Sequence, residues 1–282
     1  MTSRILLVGA AGGIGSAANA KLIKRGHRIV ATVMNEAERK VVRETTPEID
    51  DVFVVDLSDA VRARSAFAEI LAGYDALQAA ICCAGFANFG PIETSPLTAL
   101  RAIMEVNTYA SVAVYQAALP YLRICKGRMI AVSSYAGKLG FPLFGHYSAS
   151  KHALEGLMNV ARLEASQWGV PVSLIVPGGV KTAMTSDLSG KLAAGFAQLT
   201  SENAAQYKAY FDQYKSLMNS IYESFIDPER VADAIVTAVE SVEPEIRYVV
   251  GDDAVALFAQ KHNLTDRDFD NYLRSIFPGN PA

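Results

Sequence analysis

Seven short runs rich in β-branched and other apolar residues recur along the 282-residue chain, at positions 5–8, 29–33, 52–55, 77–82, 129–132, 172–176 and 248–250. Every gap between them is long enough to hold a helix. A strand that runs parallel to its predecessor needs a crossover of a dozen or more residues, usually helical. The runs are apolar throughout rather than alternating, as in strands covered on both faces. The spacing therefore predicts an α/β fold: a doubly wound parallel sheet with helices on both sides, in one domain over residues 1–282. No repeat, low-complexity stretch or linker divides the chain.

Composition narrows the partners. Hydrophobic residues make up 51% and charged residues 20%, enough for a large core. The formal net charge is −3 and no Lys/Arg run stands out, which argues against nucleic acid. No apolar run reaches membrane-span length and the first residues lack a signal-peptide pattern, so the expected location is the cytoplasm, away from membranes. The three cysteines, Cys82, Cys83 and Cys125, have no framework or metal-site spacing. They read as reduced thiols, with Cys82 and Cys83 on opposite strand faces, and no metal site is expected.

One region departs from the alternation. No strand signal occurs between residues 183 and 226, and Tyr207, Tyr210, Phe211, Tyr214, Leu217 and Met218 fall at helical spacing. This insertion follows the carboxyl end of a strand, where open α/β sheets bind ligands. It is expected to be a helical lid over substrate. Asp227-Pro228 then supplies an N-cap and first-turn proline for the next helix. Residues 252–282 form a C-terminal extension.

The first strand leads into Gly9-Ala10-Ala11-Gly12-Gly13-Ile14-Gly15 and then a helix. Glycines let the backbone turn tightly against a pyrophosphate, and the helix start offers free N–H groups and a positive dipole end. In this context, first strand then helix then second strand, the turn predicts a Rossmann-type dinucleotide site. An acid ending the second strand would hold the ribose hydroxyls of NAD and repel the 2′-phosphate of NADP. Val33 stands there, followed by Met34, so NADP is favoured over NAD, with Thr32, Asn35 and Arg39 available to a phosphate. Asp56, before Leu57 at the end of the third strand, is placed to accept from an adenine amino group or to cap its own turn.

Tyr147-Ser148-Ala149-Ser150-Lys151 sets a phenol and an ammonium four residues apart, on one face of a helix. Of the 12 tyrosines only Tyr147 has this partner. A nearby cation is expected to lower the phenol's pKa and make a usable general acid/base. Ser133 and Ser134 end the fifth strand at the ligand-binding edge. The Ser134 hydroxyl can join Tyr147 on one substrate oxygen. Asn107 sits inside a helix, where asparagine is costly without a task. Its two readings are a solvated side chain or the holder of a water linking Lys151 to solvent.

Taken in order, Gly9/Gly13/Gly15, Asp56, Asn107, Ser134, Tyr147, Lys151 and Pro177-Gly178-Gly179-Val180-Lys181-Thr182 resemble the single-domain short-chain dehydrogenase/reductase family over residues 4 to about 251. The resemblance implies hydride transfer between a nicotinamide and an alcohol or ketone carbon. It implies catalysis by Asn107, Ser134, Tyr147 and Lys151. It implies dinucleotide contacts from Gly9, Gly12, Gly13, Ile14, Gly15, Asp56, Leu57, Cys83, Ala84, Gly85, Tyr147, Lys151, Pro177, Gly178, Val180 and Thr182. Pairing of the Tyr147 and Asn107 helices with a second subunit is also implied, as a homodimer or homotetramer. One departure is Cys82-Cys83-Ala84-Gly85, where the family usually has two asparagines before Ala-Gly. A silent dinucleotide-sensing protein of the same fold is the alternative, but it predicts a degraded Tyr/Lys/Ser set, which this chain keeps. An enoyl reductase would space its Tyr and Lys further apart. The apolar stretch Leu139-Gly140-Phe141-Pro142-Leu143-Phe144 borders the reacting carbon, with only Lys138 and Lys181 as close cations. It points to a bulky apolar or aromatic ketone or secondary alcohol as the small-molecule substrate.

Overall fold

In the computed structural model, which describes residues 4–277, all seven runs are strands of one sheet, each end within a residue of its expected position. In chain order the elements are β1 (Arg4–Val8), α1 (Gly13–Lys24), β2 (Arg28–Val33), α2 (Glu36–Thr45), β3 (Asp51–Val54), α3 (Ala60–Leu71), β4 (Leu77–Cys82), α4 (Leu97–Met104), α5 (Ala110–Cys125), β5 (Arg128–Val132), α6 (Gly145–Ala165), β6 (Val172–Pro177), α7 (Leu188–Ala197), α8 (Ser201–Ile221), α9 (Pro228–Glu240), β7 (Arg247–Val250), α10 (Asp252–Asn263) and α11 (Asp266–Ile276). A π-helical turn, Glu105–Tyr109, joins α4 to α5.

The strand order is β3-β2-β1-β4-β5-β6-β7, with every pairing parallel. Winding reverses between β1 and β4, so the loops after these two strands diverge and leave a crevice at the carboxyl edge. Side chains alternate across the sheet. Ile5, Leu7, Ala79 and Ile81 join Leu22 of α1 and Val231, Ile235 and Val239 of α9 in one layer. Leu6, Val8, Ala80 and Cys82 join Phe67 of α3, Leu122 of α5 and Leu154 and Met158 of α6 in the other. Cys82 and Cys83 divide between the layers as expected, Cys83 packing against the α1 side.

The insertion holds two helices. Asp187 caps α7 through Gly190 N, and Thr200 caps α8 through Asn203 N. Their apolar stripes meet through Leu188, Leu192, Phe211, Tyr214 and Met218, with Leu143 beneath. Asp227 stands at the N-cap of α9 with Pro228 in its first turn, as expected, but its side chain makes no capping bond. Helices α10 and α11 fill the C-terminal extension as far as residue 277; its remaining residues, 278–282, lie outside the described ones.

Candidate active site

The glycine turn closes over the end of β1. Gly9 has φ +82°, left-handed backbone that suits glycine, and a Cβ on it would lie 2.9 Å from Ala84 N. Its N–H and that of Ala10 donate to Thr32 O, each at 3.1 Å. Gly12 occupies the N-cap of α1 and brings no side chain to cap it. A Cβ on Gly13 would stand 2.8 Å from Thr182 Cγ2, so the turn and the loop after β6 approach too closely for any larger residue. This bare helix start between tight backbone walls fits a pyrophosphate. Ile14, Cys83, Gly85, Pro177, Gly178, Val180 and Thr182 line the cavity that continues from it, while Gly9, Ala84 and Gly15 shape the turn behind.

The adenosine end is less open than the sequence suggests. Thr32 is buried, Asn35 Oδ1 accepts from Glu38 N to start α2, and Arg39 pairs with Glu36 at 3.0 Å. Glu38 folds back to accept from Met34 N at 2.8 Å. An exposed pair such as Arg39–Glu36 is worth little, so Arg39 remains available to a stronger anion. Asp56 Oδ1 accepts from Ser58 N at 2.8 Å, and this bond holds its carboxyl below the usual range. The turn-capping role is therefore present, and Leu57 packs on the α3 layer.

Ser134, Tyr147 and Lys151 converge on the carboxyl edge of β5. Ser134 ends the strand and its Oγ accepts from Ala136 N at 3.2 Å. Tyr147 is buried in the first turns of α6, its ring stacked on Phe144 with centroids 4.4 Å apart, and Phe144 stacks on Phe89. Lys151 Nζ donates to Val132 O at 2.9 Å and stands 5.8 Å from the Tyr147 ring centre. Burial pushes the Tyr147 phenol up to about 12, with only the Ser134 hydroxyl pulling it back. Burial also brings Lys151 down to about 8. The expected lowering of the phenol by the lysine is thus corrected. Desolvation wins because the ammonium is turned toward the Val132 carbonyl, and Tyr147 is a protonated phenol at neutral pH.

Asn107 falls in the π turn rather than in regular helix, and it is neither solvated nor idle. Its Oδ1 accepts from Phe86 N and its Nδ2 donates to Phe86 O, both at 2.9 Å, and to Ser150 Oγ at 3.1 Å. Thr108 Oγ1 donates to Ser150 O at 2.8 Å, and Ser150 Oγ to Tyr147 O at 2.7 Å. A Cβ on Gly85 would lie 3.2 Å from Asn107 Oδ1 and 3.5 Å from Lys151 Nζ, which places all three at one corner. Thr108 and Ser150 are positioning residues that no reading of the sequence singled out, although Ser150 lies inside the Tyr147–Lys151 interval.

Residues 3–193 match the family model described as short chain dehydrogenase. The chain belongs to this family. An NADPH-dependent 3-dehydrocapnine reductase of Ornithobacterium rhinotracheale is 31% identical over 272 residues, covering 94% of each protein. A short-chain dehydrogenase from Streptomyces avermitilis shares the fold with TM-score 0.74 at 22% identity, over 99% of both chains. A metagenomic short-chain oxidoreductase, solved in complex with NADP, superposes with TM-score 0.67 at 26% identity, over 89% of this chain and 98% of that one. As a short-chain dehydrogenase/reductase the chain is an oxidoreductase. Among its described residues no helix is long and apolar enough to cross a membrane.

From Ser134, Tyr147 and Lys151 a cavity of about 230 Å³ opens outward. Phe141 and Phe144 line it beside Tyr147, Tyr214, Leu217 and Met218 of α8 face it, and Leu257, Ile276 and Phe277 of the C-terminal extension close a further side. Phe277 stacks on Tyr214 at 5.3 Å. The extension's share was missed, although Phe269, Tyr272, Leu273 and Ile276 carry helical apolar spacing that marks an inward face. Tyr207, read as part of the lid, lies at its rim and donates to Glu93 at 2.7 Å. The two flanking cations are neutralised: Lys138 lies 3.5 Å from Glu155, and Lys181 3.3 Å from Glu223. His146 is buried beside Asn88 and does not line this cavity.

Proposed function

We propose that this chain interconverts a bulky apolar or aromatic ketone and its secondary alcohol, with NADP favoured and NAD as the alternative dinucleotide. The observation that carries the reading is the join between two surfaces. Ser134 and Tyr147 stand at the inner end of a cavity whose outer walls are aromatic and aliphatic. Such a cavity with a few polar groups suits an apolar ligand. The absence of an acid at Val33 leaves no fixed repulsion for a 2′-phosphate. The named NADPH dependence of the Ornithobacterium relative and the NADP bound to the metagenomic one support the same choice.

The residues divide the work. A nicotinamide dinucleotide held between the glycine turn and the 177–182 loop supplies or takes the hydride. Tyr147 donates its proton to the carbonyl oxygen during reduction and takes it back during oxidation, while the Ser134 hydroxyl adds a second donor to that oxygen. Lys151 and Asn107 hold the corner behind them. The insertion at 183–226 acts as a lid of the single domain. Nicotinamide absorbance at 340 nm, followed with NADPH and NADH across a panel of ketones, tests the reading. The best kcat/KM is expected on bulky apolar ketones with NADPH; a best value on small, charged or highly hydroxylated compounds would refute it.

A homo-oligomer completes the proposal. Leu157, Val160 and Leu163 are 43, 53 and 64% exposed on the outer face of α6, and Tyr109 is 45% exposed nearby in sequence to α5. An apolar stripe of this kind favours covering by a second copy. Light scattering at micromolar concentration should give a dimeric or tetrameric mass, and a monomeric mass would remove this part.

A further inference from the structure

Helix α6 holds a second buried ionisable side chain beyond Lys151, one that the proposed reaction does not use. Glu155, one turn after Lys151, is 1% exposed and is the only buried acid among the described residues. Cationic groups gather on one of its two oxygens. Arg247 Nε and Nη2 donate to Oε2 at 2.9 and 2.8 Å, and Lys138 Nζ stands 3.5 Å from it. The other oxygen, Oε1, is buried and meets no hydrogen-bond donor among the described residues. The hydroxyl of Ser133, the residue before Ser134, is buried and likewise unmatched. Both groups come to one place. A Cβ on Gly137 would lie 2.8 Å from Ser133 Oγ, 3.0 Å from Glu155 Cγ and 3.1 Å from Lys151 O. Gly137 closes the turn that starts at Ser134, its N–H donating to Ser134 O at 2.8 Å.

An ionised carboxylate can only accept, and a buried acceptor without a donor is costly to a fold. A hydroxyl has one proton to give. The two unmatched groups are therefore complementary, and they flank the same glycine. A bond to an ionised acceptor is also stronger than one between neutral groups. We propose that the Ser133 hydroxyl turns to donate to Glu155 Oε1, and that Glu155 is through this bond a positioning residue for Ser134. The bond ties the end of β5, which carries Ser134, to the helix that carries Tyr147 and Lys151. Arg247, at the start of β7, holds the carboxylate in place for it. Ser134 and Tyr147 have to point at one substrate oxygen, and a misplaced donor loses much of its effect. This rests on reading Ser134 as a donor to that oxygen.

The test reads kcat and KM for a bulky ketone with NADPH, beside urea unfolding. Ser133→Ala should lower kcat on the order of tenfold with KM held within about twofold, less than the roughly hundredfold that a misplacement of about 1 Å can cost. It should also lower the urea midpoint, whereas loss of an idle buried hydroxyl would leave the midpoint unchanged or raise it. Glu155→Ala should lose kcat to a similar extent, and adding Ser133→Ala to it should cost nothing more. Glu155→Gln can still accept from Arg247 and offers Ser133 an N–H, so it should keep most of the wild-type rate. In a Ser134→Ala background, Ser133→Ala should have no further effect on kcat. Wild-type kcat in Ser133→Ala would overturn the positioning role. A loss that persists undiminished without Ser134 would overturn it too, since that marks a general loosening of the fold. If Ser134→Ala alone turned over like wild type, the reading of Ser134 as a donor would fall, and the role of Glu155 with it.

Discussion

Helices α6 and α8 are both 21 residues long, yet they are built for different tasks. Helix α6 buries ten residues, and its buried set includes His146, Tyr147, Ser148, Ser150, Lys151 and Glu155. Each such polar group has to be partnered or it costs stability. Asn107 and Thr108 grip Ser150, Val132 O accepts from Lys151 Nζ, and Arg247 holds Glu155 at 2.8 Å. Helix α8 buries only Phe211, Tyr214 and Met218, all through apolar contact. Apolar packing has no preferred direction, so such a helix can shift or change residues at modest cost. On the proposed reading the chemistry sits on the helix whose position is over-determined, and the selection of substrate on the one whose position is not.

The sharpest way to break this comparison is Tyr147→Phe. On the proposed reading it removes the proton that α6 positions. Turnover of a bulky ketone should fall by about 10²–10⁴-fold, the usual contribution of a positioned acid/base. Dinucleotide binding, read by fluorescence titration, should persist. Turnover near that of wild type would mean the α6 network serves folding alone.

The second prediction asks what burying Lys151 costs. Its folded pKa, about 8, lies below the 10.5 of a free lysine. Above pH 10.5 the group is neutral in both states and contributes nothing. Between 10.5 and 8 the unfolded chain binds a proton that the folded one does not, so stability falls as pH falls. Below 8 the full penalty applies, about 3 kcal/mol at ~1.4 kcal/mol per pKa unit. Urea unfolding without dinucleotide should show wild type gaining on Lys151→Met as pH rises from 8 to 10.5. A pH-independent difference would show that the ammonium is not desolvated.

Next comes the α8 side. Tyr214→Ala removes a ring that faces the cavity and stacks on Phe277. We expect KM for a bulky apolar ketone to rise about tenfold, as several buried methylene equivalents are lost, with little change in kcat. A loss confined to kcat would place Tyr214 among the positioning groups and erase the contrast. The smallest effect is expected from Thr108→Val, which takes one hydrogen bond from the α6 network, typically worth ~1 kcal/mol. It should lower kcat about fivefold with KM held, and unchanged kcat would mean Asn107 alone holds Ser150.

What the chain discloses before folding follows the same division. The strands and the Tyr147–Lys151 pair were legible because their signals are local: a run of β-branched residues, or two side chains one turn apart. The glycine turn was legible from its place after β1. The C-terminal walls were not, because Phe277 meets Tyr214 only once α8 and α11 have packed together, and Asp253 meets Gly179 across 74 positions. The direction of the Tyr147 shift was misread for a related reason. Spacing shows that a lysine is near, but the outcome turned on how deeply the phenol is buried and on which carbonyl the ammonium faces.

The π turn at Glu105–Tyr109 sets a limit on how this chain can change length. A π turn holds one residue more than the α-helical turn it replaces. Deleting one residue there would let α4 run straight into α5 and heal the helix. Each residue of an α-helix advances about 100° around the axis. The deletion would therefore swing Asn107 and Thr108 away from Phe86 and Ser150 while leaving the apolar face of α5 in register with the sheet. Such a shortened chain would be expected to keep its fold and lose the grip on α6, so this single surplus residue is one the protein can lose from its architecture but not from its chemistry.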